Sequence, residues 1–151
     1  RRQKAVSKSH LQGGGVMARE EMAISLEGVD ELIKNLESVS NDVAADLARC
    51  IRKGGKIVLD AAKDNIKSHK LIKSGDLLDN MSMNTTEKDR TQVEVTIGPG
   101  KKQFYGMFHE YGTSKMKARP FLRPAYDENI EKVQEVIAEE LRKIIERRSR
   151  K

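Results

Sequence analysis

A long apolar helix face, with two adjacent glycines at its centre, dominates the middle of the sequence. Its residues recur every three or four positions: Val43, Leu47, Ile51, Gly54, Val58, Ala62 and Ile66. This spacing predicts one helix that ends near Lys67, and Ser40-Asn41-Asp42 supplies a capping candidate at its start. Because each interior glycine destabilises a helix by about 1 kcal/mol relative to alanine, we expect another backbone to approach closely at Gly54-Gly55. A simple kink is the alternative.

Two further helices are predicted, one on each side of this one in the sequence. In the first, one face consists of Leu32, Ile33, Leu36 and Val39. The second follows Pro124, a residue type that suits the first turn of a helix, and we expect it to be amphipathic and about 24 residues long. Its apolar face consists of Ile130, Val133, Ile137, Leu141 and Ile144.

Alternation of apolar and polar residues predicts three short strands. Residues 23–27 form one of them, and residues 81–86 and 91–97 flank a polar loop of hairpin length. The buried face of the last strand is expected to consist of Val93, Val95 and Ile97. Residues 103–112 are apolar and aromatic, and both a further strand and a short helix fit them.

The net charge of +6 is located at the two ends of the chain. Residues 1–16 carry four basic and no acidic residues, and residues 147–151 carry another four basic residues, so the remaining body has a net charge of −2. Basic ends can bind phosphate without sequence specificity, but they are more often solvated tails. We expect a disordered basic lead or extension over residues 1–22, a single domain over residues 23–146 and a basic tail over residues 147–151.

Composition narrows the classes of protein further. The chain has 151 residues, of which 37% are hydrophobic and 34% charged, so we expect a small core and stabilisation by partner subunits. A single cysteine excludes an intrachain disulfide. No apolar run approaches the ~20 residues of a membrane span and no secretory apolar region occurs, so we expect neither membrane insertion nor secretion.

The residues that could support catalysis are few and poorly arranged. His109-Glu110 begins like the helix motif of zinc proteases, but position 113 is Thr where the motif requires a second His. Cys50 lies on or beside the buried face of the long helix, as expected for a packed thiol rather than a nucleophile. We therefore expect no enzymatic activity, no metal site and no cofactor.

Two motifs in the C-terminal half resemble the signature of a known family. The first is Tyr105-Gly106-Met107-Phe108-His109-Glu110-Tyr111-Gly112-Thr113, and the second, after a short basic loop, is Ala118-Arg119-Pro120-Phe121-Leu122-Arg123-Pro124-Ala125. This pair closely resembles the signature of the tail-completion proteins, which are the head–tail joining or neck proteins of long-tailed bacteriophages and prophages. Ser74-Gly75-Asp76-Leu77 is similar to a further family element, and the likeness spans residues 24–146. Its departures are Gly106 for Ala, Ser74 for Thr and Leu78 for Arg.

The resemblance implies an α+β fold: a small, mostly antiparallel sheet packed with two or three helices, the C-terminal one long and amphipathic. It also implies a structural role in the virion neck, with assembly in the bacterial host cytoplasm. Copies of the chain would form a ring, expected to be a hexamer, that completes or terminates the tail between the tail tube protein and the head connector or stopper protein. DNA would pass through this ring without sequence-specific binding, which suits the slightly acidic body.

The signature residues are expected either to act in the fold or to form the ring contact directly. They are Tyr105, Glu110, Tyr111, Gly112, Thr113, Pro120, Phe121, Leu122, Arg123, Pro124 and Ala125. Within one subunit, Glu110 could pair with Arg123. In the basic loop between the motifs, Lys115, Lys117 and Arg119 are expected to lie outside the core and to face a neighbouring subunit or the DNA channel.

A protein of another class is the alternative to this virion role. The chain would then be a small basic nucleic-acid-binding protein that acts through its basic ends and through residues 115–123, which hold the internal basic cluster. Such binding would depend steeply on salt, because it would rest on phosphate contacts. A solvated loop or an intersubunit contact accounts for the same cluster without nucleic acid.

Overall fold

A computed structural model of the protein describes residues 22–23, 30–40, 42–71, 74–87 and 89–150. Of the disordered lead expected over residues 1–22, only Met22 is described, and the prediction was wrong for this residue, which lies in a strand opposite Ile97. Residues 24–27 of the expected strand lie outside the described residues. The helices of the described part are α1 (Asp30–Val39), α2 (Val43–Ser68), α3 (Asp76–Asp79), α4 (Gly106–Tyr111), α5 (Leu122–Asp127) and α6 (Ile130–Ser149). Its strands are β1 (Met22–Ala23), β2 (Met81–Glu87) and β3 (Val93–Pro99), and one turn of 3-10 helix spans Lys101–Gln103.

The strands form one antiparallel sheet in the order β1-β3-β2. The predicted hairpin is present, with Met81 opposite Pro99 and Glu87 opposite Val93. In the central strand Val95 and Ile97 are buried, as the alternation predicted. The sheet together with the helices makes the fold α+β, which confirms the fold class that the resemblance implied. The short helix α3 was not predicted, because an element of four residues is too short to show a helical period.

Helix α2 runs through the centre of the molecule without interruption at its two glycines. A Cβ added at Gly54 would lie 2.7 Å from Cδ1 of Ile137 on α6, and one added at Gly55 would lie 2.7 Å from Sδ of Met83 on β2. The glycines therefore let α6 and the sheet pack closely on two adjoining sides of α2. The expected approach of another backbone was wrong in this detail, because side chains of large residues fill the space that the glycines leave.

The C-terminal helix is shorter than predicted, because it is divided into α5 and α6. Glu128 and Asn129 separate the two, and the Asn129 side chain donates a hydrogen bond to the Ala125 carbonyl at 2.9 Å. An asparagine that bonds the backbone in this way competes with continuous helix. Pro124 lies in the first turn of α5, and α6 retains the predicted apolar face, with Val133, Ile137, Leu141 and Ile144 buried.

A buried carboxylate connects the beginning of α2 to the end of α6. Asp46 is 1% exposed; its Oδ2 accepts a hydrogen bond from Ser40 Oγ at 2.7 Å and forms an ion pair with the Arg148 guanidinium at 2.7 Å. Asp42 caps the same end of α2, as predicted, by accepting the backbone N–H of Ala45. Arg147 and Arg148, assigned from the sequence to a basic tail, are thus part of α6, and Arg148 is held by a partner.

Candidate interaction surface

The aromatic segment that sequence reasoning left undecided is a helix, α4, preceded by the 3-10 turn. Pro99 and Gly100 end β3, and the chain then turns so that Gly106 packs against the side chains of Leu77 and Pro99. A Cβ at position 106 would lie 3.0 Å from Leu77 Cδ1, so the glycine allows α4 to lie close to α3. Because Gly106 has no side chain, α4 can pack closely against Leu77 of α3 and Pro99 at the end of β3.

Glu110 connects the two halves of the signature. Its carboxylate is buried and accepts three backbone hydrogen bonds, from the N–H groups of Phe121 at 2.8 Å, Leu122 at 3.0 Å and Arg123 at 3.0 Å. These amides belong to the first turn of α5, where a helix leaves its N–H groups without backbone partners and favours negative charge. Glu110 is thus a capping residue supplied by another helix. Glu110 and Arg123, which were expected to pair, contact each other through the Arg123 backbone N–H and not through its side chain. The Arg123 guanidinium lies 5.4 Å from the centre of the Tyr111 ring.

The loop from residue 113 to residue 119 is closed at both ends. Gly112 has a φ of 74°, and a Cβ there would lie 2.7 Å from the Ala118 nitrogen, so both its conformation and its surroundings require glycine. The Arg119 N–H donates to the His109 carbonyl at 2.7 Å. Between these ends, Thr113 and Met116 exchange backbone hydrogen bonds of 2.8 and 3.3 Å. The loop is therefore a fixed turn.

The signature residues and the loop cations divide into a buried, a partly buried and an exposed group. Buried in the core are Phe121, Leu122 and Ala125, together with the Glu110 carboxylate. Partly buried are Tyr105, Gly112, Pro120 and Pro124. Exposed are Tyr111, Thr113, Arg123 and the three loop cations Lys115, Lys117 and Arg119. The buried group supports the interpretation that these residues act in the fold, whereas the exposed group remains available for contacts.

An exposed aromatic face lies on and just before α4, and sequence reasoning did not identify it. Phe104, Phe108 and Tyr111 are 48%, 39% and 46% exposed. The rings of Phe104 and Phe108 meet edge to face, with centroids 6.0 Å apart. The spacing of four and three residues places all three rings on one side of a helix, but it does not indicate whether that side is exposed or buried. We call these three residues the aromatic face.

Exposed cations flank the aromatic face in the sequence. Lys101 and Lys102 precede it in the 3-10 turn, and the loop cations follow it. Within the described part of the chain, none of these five forms an ion pair. Burial, and then the positive charge of Arg119, lower the pKa of His109. The surface thus combines exposed rings with fixed positive charge.

The residues considered for catalysis are buried or committed to structural contacts. Glu110 is fully engaged as a helix cap, so the fragment of a zinc-protease motif has a structural explanation. Cys50 is fully buried, and burial first, then the charges of Glu140 and Asp46, raise its pKa to about 11. Among the described residues, no group of three or more His, Cys, Asp and Glu side chains lies together in a way that could hold a metal ion.

The further family element, residues 74–77, lies beside the first signature motif. Ser74, Gly75, Asp76 and Leu77 line a cavity of about 280 Å³ together with Tyr105 and His109. Gly75 has a φ of 85°, and Ser74 Oγ bonds the Asp76 carboxylate at 2.7 Å at the start of α3. Two segments that are separated by some thirty residues in the sequence (74–77 and 105–113) are therefore neighbours in the fold.

Comparison with known proteins gives one family. The family model described as "Bacteriophage HK97-gp10, putative tail-component" matches residues 30–112, so it ends at Gly112, one residue before the end of the first signature motif. Comparison with curated proteins and with solved structures gave no match. No helix in the described residues has both the length and the apolar character needed to cross a membrane. Since the match covers more than half of the chain, the protein belongs to the HK97-gp10-like family of phage tail components.

Proposed function

We propose that the protein is a structural component of the virion that forms a ring at the head-proximal end of a phage tail. The ring, expected to contain six copies, completes the tail, contacts the tail tube protein on one side and joins the head connector or stopper protein on the other. It assembles in the cytoplasm of the bacterial host and leaves a channel for DNA. Family membership over residues 30–112 supports the tail assignment.

The observation that carries this proposal is the fixed geometry of the surface between α4 and α5. The Glu110 cap and Gly112 hold the turn 113–119 at both ends, and the turn exposes Lys115, Lys117 and Arg119. A segment that is already ordered loses little conformational entropy when it docks, so more of its contact energy appears as affinity. This suits an assembly contact between structural proteins.

The charge distribution supports a channel that DNA can traverse. Residues 17–146 carry a net charge of −2, although the whole chain carries +6. Each additional phosphate contact strengthens binding through counterion release, so a strongly basic channel would retain DNA instead of letting it pass. A slightly acidic body avoids this.

Imaging of particles from a phage that lacks this gene tests the proposal. We expect full heads and separate tails that are not joined, with joining restored when the wild-type gene is supplied in trans. Normal joined virions from the deleted phage would contradict the proposed role. Absence of both heads and tails would also contradict it, because it would place the protein at an earlier step.

A nucleic-acid-binding protein is the second candidate, and the exposed cations around α4 are the observation that favours it. Strong binding to duplex DNA that falls steeply with salt, and that is lost in Lys115→Glu/Lys117→Glu, would support this function. Binding that is weak at physiological salt and unchanged in this variant would argue against it.

A further inference from the structure

We infer that the aromatic face of one subunit docks on the outer face of α6 of a second copy of this chain, in a head-to-tail contact. The inference rests on the proposed function, because it names the two surfaces that would close the proposed ring. Neither surface is needed to complete the fold of the single chain: one is exposed on and just before α4, and the other lies opposite the buried face of α6.

The first surface leaves unusually much aromatic area in solvent. The chain has three Phe, three Tyr and no Trp. Half of these rings, those of the aromatic face, are more than a third exposed, whereas Phe121 is fully buried. Contiguous exposed apolar patches of this kind mark interaction sites, and aromatic residues are enriched in the cores of protein interfaces.

The charges around the aromatic face are of one sign. Residues 101–123 contain six basic residues and one acidic residue, Glu110, whose carboxylate is buried and committed to the α5 cap. The exposed charges of this segment are therefore all positive. A partner surface that meets it must offer negative charge, because like charges at an interface are strongly unfavourable.

The chain carries a matching acidic surface on α6 and just before it. Glu128, Glu131 and Glu135 are exposed and form no ion pair within the described part of the chain. Along α6, residues 131 and 135 lie on the side opposite to Val133 and Ile137, which pack on α2. Residues 127–135 hold four acidic residues and one basic residue, Lys132, so their net charge is −3. We call Glu128, Glu131 and Glu135 the acidic face.

A second copy accounts for both surfaces at once, which nucleic acid does not. DNA would neutralise the cations but would repel the acidic face, and a duplex offers no unstacked bases to the aromatic rings. When two different patches of one chain bind each other, the contact is heterologous, and it generates a closed ring if the rotation between copies closes. The complementary charges therefore favour head-to-tail association of identical subunits.

A charge-exchange experiment on the full-length chain tests this contact by sedimentation velocity at low ionic strength, where ion pairs are least screened. The first variant is Lys115→Glu/Lys117→Glu, which makes the surface around the aromatic face acidic, and the second is Glu131→Lys/Glu135→Lys, which makes the acidic face basic. Wild-type protein is expected to self-associate with a strong salt dependence. Each variant alone is expected to associate at least about tenfold more weakly, because it carries two surfaces of the same sign.

Association in a mixture of the two charge-reversed variants is the decisive measurement for the head-to-tail contact. At equimolar amounts, each reversed surface finds an oppositely charged partner on the other variant, so association is expected to return towards the wild-type level. Lys34→Glu/Lys56→Glu, which reverses two exposed lysines on α1 and α2, is the matched control and is expected to associate like the wild type. Thermal melts of every variant establish that it is folded.

Three results would overturn the inference. They are absence of self-association in the wild type, association of either variant at the wild-type level, and failure of the mixture to associate. If Lys115→Glu/Lys117→Glu instead loses only binding to a duplex DNA probe, the occupant of this surface is nucleic acid. These results are separate from the test of the proposed function, since the deleted phage can fail to join heads and tails whichever surfaces the subunits use.

Discussion

The carboxylate of Glu110 accepts a hydrogen bond of 2.8 Å from the backbone N–H of Phe121, eleven positions later in the sequence, and both residues are buried. This bond fixes the end of α4 to the beginning of α5. Because Phe121 is a fully buried core residue, the turn between the two helices is anchored to the core rather than attached loosely to it. The orientation of the candidate interaction surface therefore depends on one carboxylate.

Glu110→Gln is expected to lower the free energy of unfolding by about 1–3 kcal/mol, because both carboxylate oxygens accept backbone N–H groups. The NH2 group of glutamine cannot accept a hydrogen bond, and its oxygen is an uncharged, weaker acceptor. Glu135→Gln is the matched control, since this exposed residue should change stability by less than about 0.5 kcal/mol. Urea denaturation followed by circular dichroism measures both. Equal, small losses in the two variants would show that the Glu110 cap contributes nothing to stability.

Gly112→Ala is expected to be more destabilising than Gly75→Ala, although both glycines have positive φ. At Gly75 the nearest atom to an added Cβ lies 3.5 Å away, whereas at Gly112 the backbone nitrogen of Ala118 lies 2.7 Å away. Gly75→Ala carries left-handed strain of about 1–2 kcal/mol. Gly112 has a φ of 74° and a ψ of 179°, a region essentially restricted to glycine, so Gly112→Ala carries more strain and adds a clash with backbone. Thermal melts compare them, and a larger loss for Gly75→Ala would contradict the turn geometry.

Gly54→Ala is expected to lower stability by about 1–3 kcal/mol through overpacking, even though alanine favours helix. The added Cβ would lie 2.7 Å from Ile137 Cδ1. Ile137→Val removes this methyl group, so the double variant should be more stable than the sum of the two single changes indicates. Strict additivity in chemical denaturation would show that α2 and α6 do not meet at this point.

Arg148→Ala is expected to destabilise the fold by about 1–3 kcal/mol, because it removes a cation from the buried Asp46 carboxylate while Ser40 remains. Arg147→Ala is the neighbouring control, at an exposed position of the same helix, and should change stability by less than about 0.5 kcal/mol. Denaturation curves of both variants measure the difference. Similar losses would mean that the end of α6 is not fixed through Asp46.

Cys50 is expected to be unreactive towards a thiol reagent in the native protein and reactive once the protein unfolds. Its pKa is raised from 9.0 to about 11, so the folded state retains the proton that the unfolded state releases. The free energy of unfolding should therefore fall as pH rises from about 9 to about 11, and Cys50→Ala should reduce this slope. Rapid native-state labelling near pH 8 would contradict the burial of this thiol.

The elements predicted from the sequence are those with long, regular periods. The apolar face from Val43 to Ile66 predicted α2 to within about one residue at its end, and the alternation of Val95 and Ile97 predicted the buried face of β3. The segment that became α4 has only six residues, so its pattern did not distinguish helix from strand. Asn129 interrupts the last helix through a side-chain hydrogen bond that apolar spacing does not reveal.

The candidate site was predicted in its residues but not in its organisation. The resemblance selected Glu110 and Gly112, yet their roles depend on contacts with Phe121 and Ala118, which only the tertiary structure brings together. Phe104 and Phe108 are exposed, and they are four positions apart in the sequence, which is a helical spacing. Apolar rings at that spacing usually indicate a buried helix face, so the sequence pattern alone favoured the core.

The position of the protein in the virion tests the proposed function most directly. Immunogold electron microscopy of intact phage particles, with antibodies against this chain, locates it relative to head and tail. Label is expected at the junction between head and tail, with none on particles from the gene-deleted phage. Label along the tail shaft or at the tip of the tail would contradict it.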